Sequence, residues 1–181
     1  MRFITFIFMS VFFLSAFAKP SAVFMIRHGE KPPDGPDLSE AGWARARALP
    51  EIFSRPEFAA YGAPACVVGM AAKKYDGSVR ALQTLKYVSE KFNVPLTGAY
   101  NKDQSQSMVN FVMNSPQCDG HLVVIAWEHN GLEDIAFLFG VRPKPNWPGG
   151  AYDRIWFLQP TEAGVSFTDL PQRLMPGDTD Q

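Results

Sequence analysis

An uninterrupted apolar run followed by one charged residue and then a histidine occurs twice in this sequence, and this feature limits the folds open to the chain. The two segments are "AVFMIRHGE", which begins at Ala22, and "HLVVIAWEH", which begins at His121. Continuous apolar runs of this length are typical of strands that are covered on both faces. Such strands lie in parallel sheets between layers of helices, so the two runs predict an α/β fold.

Helical patterns separate the predicted strands. Ser39 is a candidate N-cap for a helix through "EAGWARARAL", with Pro50 after its end. "VRALQTLKYVSEKF" carries an apolar stripe at helical spacing, and Asn130 is a candidate N-cap for a helix that Gly140 ends. With "CVVGM" and "VPLT" as further strands, the alternation predicts a three-layer α/β/α fold with a mostly parallel central sheet. "RIWFLQP" and "GVSFTDL" are predicted edge strands of a hairpin.

The first 18 residues have the pattern of a secretory signal peptide. Arg2 precedes an apolar run over Phe3–Leu14, and the motif "AFA" favours cleavage after Ala18. The run is shorter than a membrane-spanning helix needs, so we expect no stable membrane span after cleavage. An uncleaved N-terminal anchor is the alternative. We therefore expect a secreted or periplasmic protein with a single domain over residues 19–181.

The charge balance limits the class of partner. The 181 residues carry a formal net charge of -1, and the sequence pI is about 6.3. A surface that binds nucleic acid is usually strongly basic, because it must neutralise several phosphates. We therefore expect no nucleic-acid partner.

Polar side chains follow the two apolar runs at the points where the predicted strands end. His28 comes directly after the first strand, and His129 follows the second. Parallel α/β sheets place their sites outside the carboxyl ends of the strands. A neutral imidazole is a nucleophile, and the adjacent guanidinium of Arg27 suits phosphate oxygens. Arg80, near a predicted helix N-terminus, adds a second group that binds anions.

Four blocks in order give the sequence a resemblance to a known family. They are "RHGEK", "LSEAGWARARAL", "RALQT" and "WEHNGLEDIAFLFG". The sequence resembles the histidine phosphatase superfamily, which has the phosphoglycerate mutase-like fold. The resemblance implies that His28 is the nucleophile and that Arg27, Arg80 and His129 bind the phosphate. It implies neither a metal nor another cofactor.

The resemblance leaves the proton donor open. The family's glutamate after the third strand has no match in "GAYNKDQSQS", where Asp103 is the only carboxylate. Asp103 and Glu128 are the two candidate catalytic acids, and Glu30 is the third. A member without a dedicated acid is the remaining alternative, and it would favour good leaving groups such as phosphohistidine or anhydrides.

The expected activity follows from the resemblance. It implies a histidine acid phosphatase-like phosphoric monoester hydrolase that acts through phosphohistidine on a small-molecule or exposed phosphate. One alternative is a non-catalytic protein of the same fold that binds a phosphate ligand. A phosphotransfer mutase is the other, which export and the lack of long insertions disfavour.

The two cysteines, Cys66 and Cys118, form an even pair in a chain with an export signal. In the family's sheet, the strand that begins at Cys66 lies beside the strand that follows Cys118. The resemblance therefore places both residues at the amino-terminal edge and predicts a disulfide between them. The alternative is that Cys118, in the turn "SPQCDG", points away and that both thiols are free.

Overall fold

The computed structural model describes residues 19–179. The predicted signal peptide lies outside these described residues. Within them, no helix combines the length and the apolar character that crossing a membrane requires.

One mixed sheet forms the centre of the molecule. Its six strands are β1 (Ala22–Arg27), β2 (Pro64–Gly69), β3 (Leu96–Thr97), β4 (Leu122–Trp127), β5 (Arg154–Thr161) and β6 (Gly164–Pro171). The spatial order is β3-β2-β4-β1-β5-β6. The first four strands in this order run parallel, and β5 runs antiparallel to both β1 and β6.

Five α-helices cover the sheet. They are α1 (Glu40–Ala48), α2 (Pro56–Ala59), α3 (Arg80–Phe92), α4 (Ser105–Asn114) and α5 (His129–Phe139), and a 3-10 helix spans Leu49–Ser54. Helices α1 and α3 pack together, as do α4 and α5. The side chain of Phe24 on β1 contacts Phe53 and Phe58, whereas its neighbour Val23 borders Met113 and Phe139. Successive strand residues therefore face different helix layers, which confirms the predicted three-layer α/β/α fold.

The central strands are where the apolar runs predict them. All six residues of β1 and all six of β4 are buried. Arg27 of β1 lies opposite Trp127 of β4, and the backbone N–H of His28 donates to the Trp127 carbonyl at 2.9 Å. The two strands thus end side by side, and the residues that follow them share one edge of the sheet.

Two local predictions were wrong. Asn130 is not the N-cap of α5, because the helix begins at His129 and the side chain of Glu128 caps it instead. Strand β5 is not at the edge: it lies between β1 and β6, and four of its residues, Ile155–Leu158, are fully buried. The caps at the other ends are as predicted, with Ser39 before α1 and Gly140 after α5 at a positive φ of 109°.

Cys66 and Cys118 form a disulfide, with their Cα atoms 5.1 Å apart. Cys66 is near the start of β2, and Cys118 lies in the turn before β4, which pairs with β2. The bridge is therefore at the amino-terminal edge of the sheet. His28 lies at the opposite edge, about 20 Å away along a six-residue strand.

We expect the disulfide to affect stability and not the chemistry at His28. The bridge spans 52 residues of sequence, and closing a loop of that length stabilises the folded state by about 4 kcal/mol in the chain-entropy model. Urea unfolding of the oxidised and the reduced protein measures this difference. Two alkylatable thiols in the purified exported protein would exclude the bridge. Loss of activity on mild reduction, with the fold intact, would contradict its distance from His28.

Candidate active site

His28 lies directly after β1 and is almost completely buried, with 6% of its surface exposed. Its Nδ1 lies 2.7 Å from the carbonyl oxygen of Gly29. A carbonyl oxygen can only accept, so Nδ1 carries the proton in this contact. The other ring nitrogen, Nε2, therefore keeps a free lone pair, which is the form that a nucleophile requires.

The surroundings of His28 keep its ring uncharged. Burial lowers the pKa of His28 to about 4, and the positive charges of Arg27, Arg80 and His129 act in the same direction. The hydrogen bond with the Gly29 carbonyl opposes these effects only in part. The ring is consequently neutral at any pH above about 5, and the nucleophile needs no separate base to deprotonate it.

Helices α1 and α3 hold the turn after His28. The backbone N–H of Gly29 donates to Oγ1 of Thr84 on α3 at 2.8 Å. A Cβ atom on Gly29 would lie 3.1 Å from the carbonyl oxygen of Gly42 on α1, so the backbones of the turn and the helix are almost in contact. The packing of α1 therefore leaves little room for a side chain at the glycine of "RHGEK".

Arg27 is as buried as His28, and its guanidinium is held by backbone and an aromatic ring. Its Nη1 donates to the carbonyl oxygens of Gly149 at 2.6 Å and Ala151 at 3.4 Å. The guanidinium carbon lies 4.1 Å from the centre of the Tyr152 ring. The centre of that ring is 6.0 Å from the His28 ring, so Tyr152 lies beside both residues.

The buried charge of Arg27 has no carboxylate partner. Within residues 19–179, Arg27 forms no ion pair, and its Nε is buried without a hydrogen-bond partner. Burial lowers the pKa of Arg27, and Tyr152, together with the carboxylates of Glu128 and Glu30, offsets this only in part. A buried guanidinium in this state favours the arrival of an anion.

Arg80 and His129 lie at the first positions of α3 and α5. Arg80 is half-buried and donates to backbone carbonyls of the loop after β1, at Asp37 over 2.9 Å and also at Gly35. Arg80 and His129 both act electrostatically to lower the pKa of His28. The predicted nucleophile and the three predicted phosphate-binding residues thus gather at the same edge of the sheet.

Glu30 forms a structural ion pair with Arg45. Its Oε1 accepts hydrogen bonds from Nε and Nη2 of Arg45 at 2.9 and 2.7 Å. Arg45 is buried and also binds Asp178 and Gln172 from the C-terminal segment. Burial disfavours the charge of Arg45, but the hydrogen bonds with Asp178 and Glu30 outweigh it and raise the pKa of Arg45. Glu30 therefore fixes the C-terminal segment to the loop that follows the nucleophile.

Glu128 caps α5. Its Oε1 accepts from the backbone N–H of Gly131 at 2.8 Å, and its Oε2 accepts from Asn130 at 3.1 Å. Oε2 also lies 3.9 Å from Nδ1 of His129. The carboxylate is close to the site, but both of its oxygens already stabilise the helix N-terminus. The geometry gives Glu128 a role in positioning His129.

Asp103 lies in the turn after β3 and is exposed. Its carboxylate contacts the ammonium group of Lys73 and lies 3.2 Å from that of Lys102. The hydrogen bonds from Lys73 and Lys102 lower the pKa of Asp103. A carboxyl group with a lowered pKa is ionised at neutral pH and is poorly suited to donate a proton.

Sequence reasoning did not identify Tyr152, Thr84 or Arg45 as residues of the site. Tyr152 follows the loop "RPKPNWPGG", and its only signal is an aromatic residue beside a Gly-rich turn. Thr84 lies within the block "RALQT", where nothing marks its hydroxyl as a partner of Gly29. Arg45 reads as a surface residue of α1, although it is 4% exposed.

The arrangement can bind a phosphoryl group and attack it. Arg27 and Arg80 supply positive charge, and a neutral imidazole with a free nitrogen lies at the same edge of the sheet. Among residues 19–179, no three His, Cys, Asp or Glu side chains gather in a way that would hold a metal ion.

Comparison with known proteins gives matches at the level of structure. No protein-family model and no curated protein matches the sequence. The protein histidine phosphatase SixA in complex with tungstate aligns with 83% of this chain and 97% of its own, at 14% identity and a TM-score of 0.56.

Two other phosphatase structures align over similar lengths. A proposed alpha-ribazole-5'-P phosphatase of Escherichia coli K-12 covers 87% of this chain and 98% of its own, at 12% identity and a TM-score of 0.55. The mycobacterial glucosyl-3-phosphoglycerate phosphatase in complex with VO3 covers 82% and 97%, at 15% identity and a TM-score of 0.53. The chain therefore has the fold of the histidine phosphatases, the phosphoglycerate mutase-like fold.

Proposed function

We propose that this chain is a phosphatase that acts through a phosphohistidine intermediate on His28. One observation carries the proposal: a buried, neutral His28 with a free Nε2 and the buried guanidinium of Arg27 both lie beside Tyr152, and Arg27 lacks a carboxylate partner within residues 19–179. A phosphoryl group would supply the negative charge that is missing there. Arg80 adds positive charge at the N-terminus of α3, and the imidazole of His129 lies at the N-terminus of α5.

The reaction needs two displacements at phosphorus. In the first, Nε2 forms a bond to phosphorus while the bond to the leaving group breaks, and the electron pair departs with the leaving group. The ring then carries the phosphoryl group on Nε2 and keeps its proton on Nδ1, which donates a hydrogen bond to the Gly29 carbonyl. In the second, water attacks phosphorus, the N–P bond breaks and its electron pair returns to Nε2. The proton lost by water goes to solvent or to the released phosphate.

The state of the carboxylates favours substrates that leave without help from a strong acid. The three candidates, Asp103, Glu128 and Glu30, are each engaged by lysines, by a helix N-terminus or by Arg45. An alkoxide leaves slowly without a proton donor, whereas a phosphoramidate or an anhydride does not need one. We therefore propose phosphohistidine or another phosphate with a good leaving group as the substrate class. The similar structure SixA is itself a protein histidine phosphatase.

A comparison of leaving groups tests this proposal. The substrates are phosphoramidate, an aryl phosphate and an alkyl phosphate, and the enzymes are the wild type, Asp103→Asn and Glu128→Gln. We expect the wild type to lose about 10²–10⁴-fold in kcat on the alkyl phosphate, which is the usual contribution of a general acid. The ratio of alkyl to aryl turnover is expected to be the same in all three enzymes.

Two other outcomes of this comparison would contradict the proposal. A variant that loses alkyl turnover far more than aryl turnover would identify its residue as the proton donor and overturn the proposed substrate class. Binding of vanadate without turnover of any substrate would indicate a non-catalytic phosphate-binding protein. Vanadate binding is measured by isothermal titration calorimetry.

We further propose that the protein acts outside the cytoplasm. The signal-peptide pattern of residues 1–18 supports this, and so does the Cys66–Cys118 pair, since disulfides persist in oxidising compartments. N-terminal sequencing of the protein from culture medium or periplasmic extract tests the cleavage after Ala18.

A further inference from the structure

Two loops at the active-site edge lie side by side. Residues 71–79 follow β2, and residues 98–104 follow β3. Ala71 pairs with Asn101 in an isolated parallel bridge, and its backbone N–H donates to the Tyr100 carbonyl at 2.7 Å. This pairing fixes the first loop against the second, so the side chains on the two loops form one continuous surface.

Lysines dominate this surface. Lys73, Lys74 and Lys102 line a shallow depression of about 260 Å³, whose wall includes Ser78. The hydroxyl oxygen of Ser78 accepts a hydrogen bond from Nη1 of Arg80 at 3.3 Å. The depression therefore adjoins Arg80, which is one of the proposed phosphate-binding residues.

The charge of the lysines is only partly compensated. Lys73 and Lys102 share the single carboxylate of Asp103, and Lys74 forms no ion pair within the described part of the chain. Asp76 lies in the same loop, so the two loops carry three ammonium groups against two carboxylates, before Arg80 is counted. The surface thus has a positive excess in a chain whose formal net charge is -1.

An aromatic side chain extends from the same loop. Tyr75 is fully exposed, and it is one of two large hydrophobic side chains that residues 19–179 expose. Tyrosine at a loop tip is typical of surfaces that bind protein, because it supplies a large contact area at a low cost in side-chain entropy.

We propose that the lysine surface, defined by Lys73, Lys74, Tyr75 and Lys102, binds an acidic polypeptide segment next to the phosphorylated residue of the substrate. Asp103 occupies the lysines in the free protein, and carboxylates of the substrate replace it on binding. This inference rests on the proposed function, and it assigns Asp103 to substrate selection in place of proton transfer.

Two phosphohistidine peptides test the inference, one with glutamate residues beside the phosphohistidine and one with glutamine at the same positions. The readout is the acidic preference, which is the ratio of kcat/KM for the first peptide to that for the second. The variants are the triple substitution Lys73→Gln, Lys74→Gln, Lys102→Gln and the single substitution Asp103→Asn. The matched control is Lys86→Gln with Lys91→Gln, since these exposed lysines of α3 also pair with single carboxylates, Glu90 and Glu51.

We expect the triple variant to lower the acidic preference about tenfold, mainly through KM, because three surface charge contacts are lost. Asp103→Asn is expected to raise the preference severalfold, since it removes the competing carboxylate. Both effects should weaken at 0.5 M salt, where the screening length falls below about 5 Å. The control variant should keep the wild-type preference.

Several results would overturn the inference. An acidic preference that is absent in the wild type, or unchanged in the triple variant, would do so. A tenfold effect of the triple variant on a small bisphosphate without any on the peptides would instead assign the lysines to a second phosphate group.

Binding without turnover separates this inference from the proposed function. Fluorescence anisotropy measures the affinity for the acidic peptide without its phosphoryl group. If no substrate is turned over but the triple variant weakens this affinity about tenfold, the phosphatase proposal fails and the docking surface stands. Equal affinities of the wild type and the triple variant would exclude the docking surface, whether or not the protein is an active phosphatase.

Discussion

His28→Ala is expected to lower kcat for phosphoramidate or an aryl phosphate by at least about 10⁴-fold, since removal of a covalent nucleophile has effects of this size or larger. The His28 side chain has a free, neutral nitrogen, and its hydrogen bond with the Gly29 carbonyl fixes its tautomer. Alanine leaves the phosphate-binding charges in place, so binding of vanadate should survive while turnover does not. Steady-state kinetics and calorimetry on the same preparation measure both.

His121→Ala is the matched control for this prediction. His121 is exposed and precedes β4 at the amino-terminal edge of the sheet, far from His28. We expect its substitution to leave kcat within about twofold of the wild type, because it contacts no residue of the site. Turnover by His28→Ala at a rate comparable with that of His121→Ala would exclude His28 as the nucleophile.

Arg27→Ala is expected to lower kcat/KM by about 10²–10³-fold, the usual cost of removing one preorganised donor to a transition-state oxyanion. Arg27→Lys keeps the charge but loses the planar guanidinium that stacks on Tyr152, so we expect it to recover only part of the loss. Vanadate affinity should fall in the same order, wild type, then lysine, then alanine.

Arg142→Ala provides the control for Arg27. Its guanidinium also stacks on an aromatic ring, 3.5 Å from the centre of Phe137, and donates to backbone carbonyls, but it lies after α5, away from the site. We expect its activity to be unchanged. Thermal unfolding of all variants shows whether any loss is due to misfolding. An Arg27→Ala enzyme that is folded and fully active would contradict the assignment of the phosphate site.

The sequence predicts the sheet well where burial alone decides the structure. β1 and β4 are buried on both faces, so their apolar runs are continuous and their ends are visible in the polar residues that follow. The sequence does not predict the position of β5, because the pattern of "RIWFLQP" is compatible both with an edge strand and with a strand beside β1. The position of β5 in the sheet depends on its pairing with β1, whose residues lie more than a hundred positions earlier in the chain.

The site divides in the same way. The sequence predicts that His28, Arg27, Arg80 and His129 lie at one edge of the sheet, because each adjoins the end of a strand or the start of a helix. The sequence does not predict the contacts that hold the site together, because they join residues far apart in the chain. Arg27 stacks on Tyr152, and Arg45 forms an ion pair with Asp178. For the carboxylates, proximity in sequence is misleading. Glu128 adjoins His129, yet its oxygens cap α5, and Asp103 becomes a counter-ion only because Lys73 folds onto it.

The most direct test of the account is to identify the phosphorylated residue during turnover. The enzyme is mixed with phosphoramidate, quenched at alkaline pH to preserve phosphohistidine, digested and examined by tandem mass spectrometry. We expect one acid-labile phosphoryl group on His28, which forms and is lost at rates that match turnover. Steady turnover with an unmodified His28, or with the phosphoryl group on His129, would contradict it.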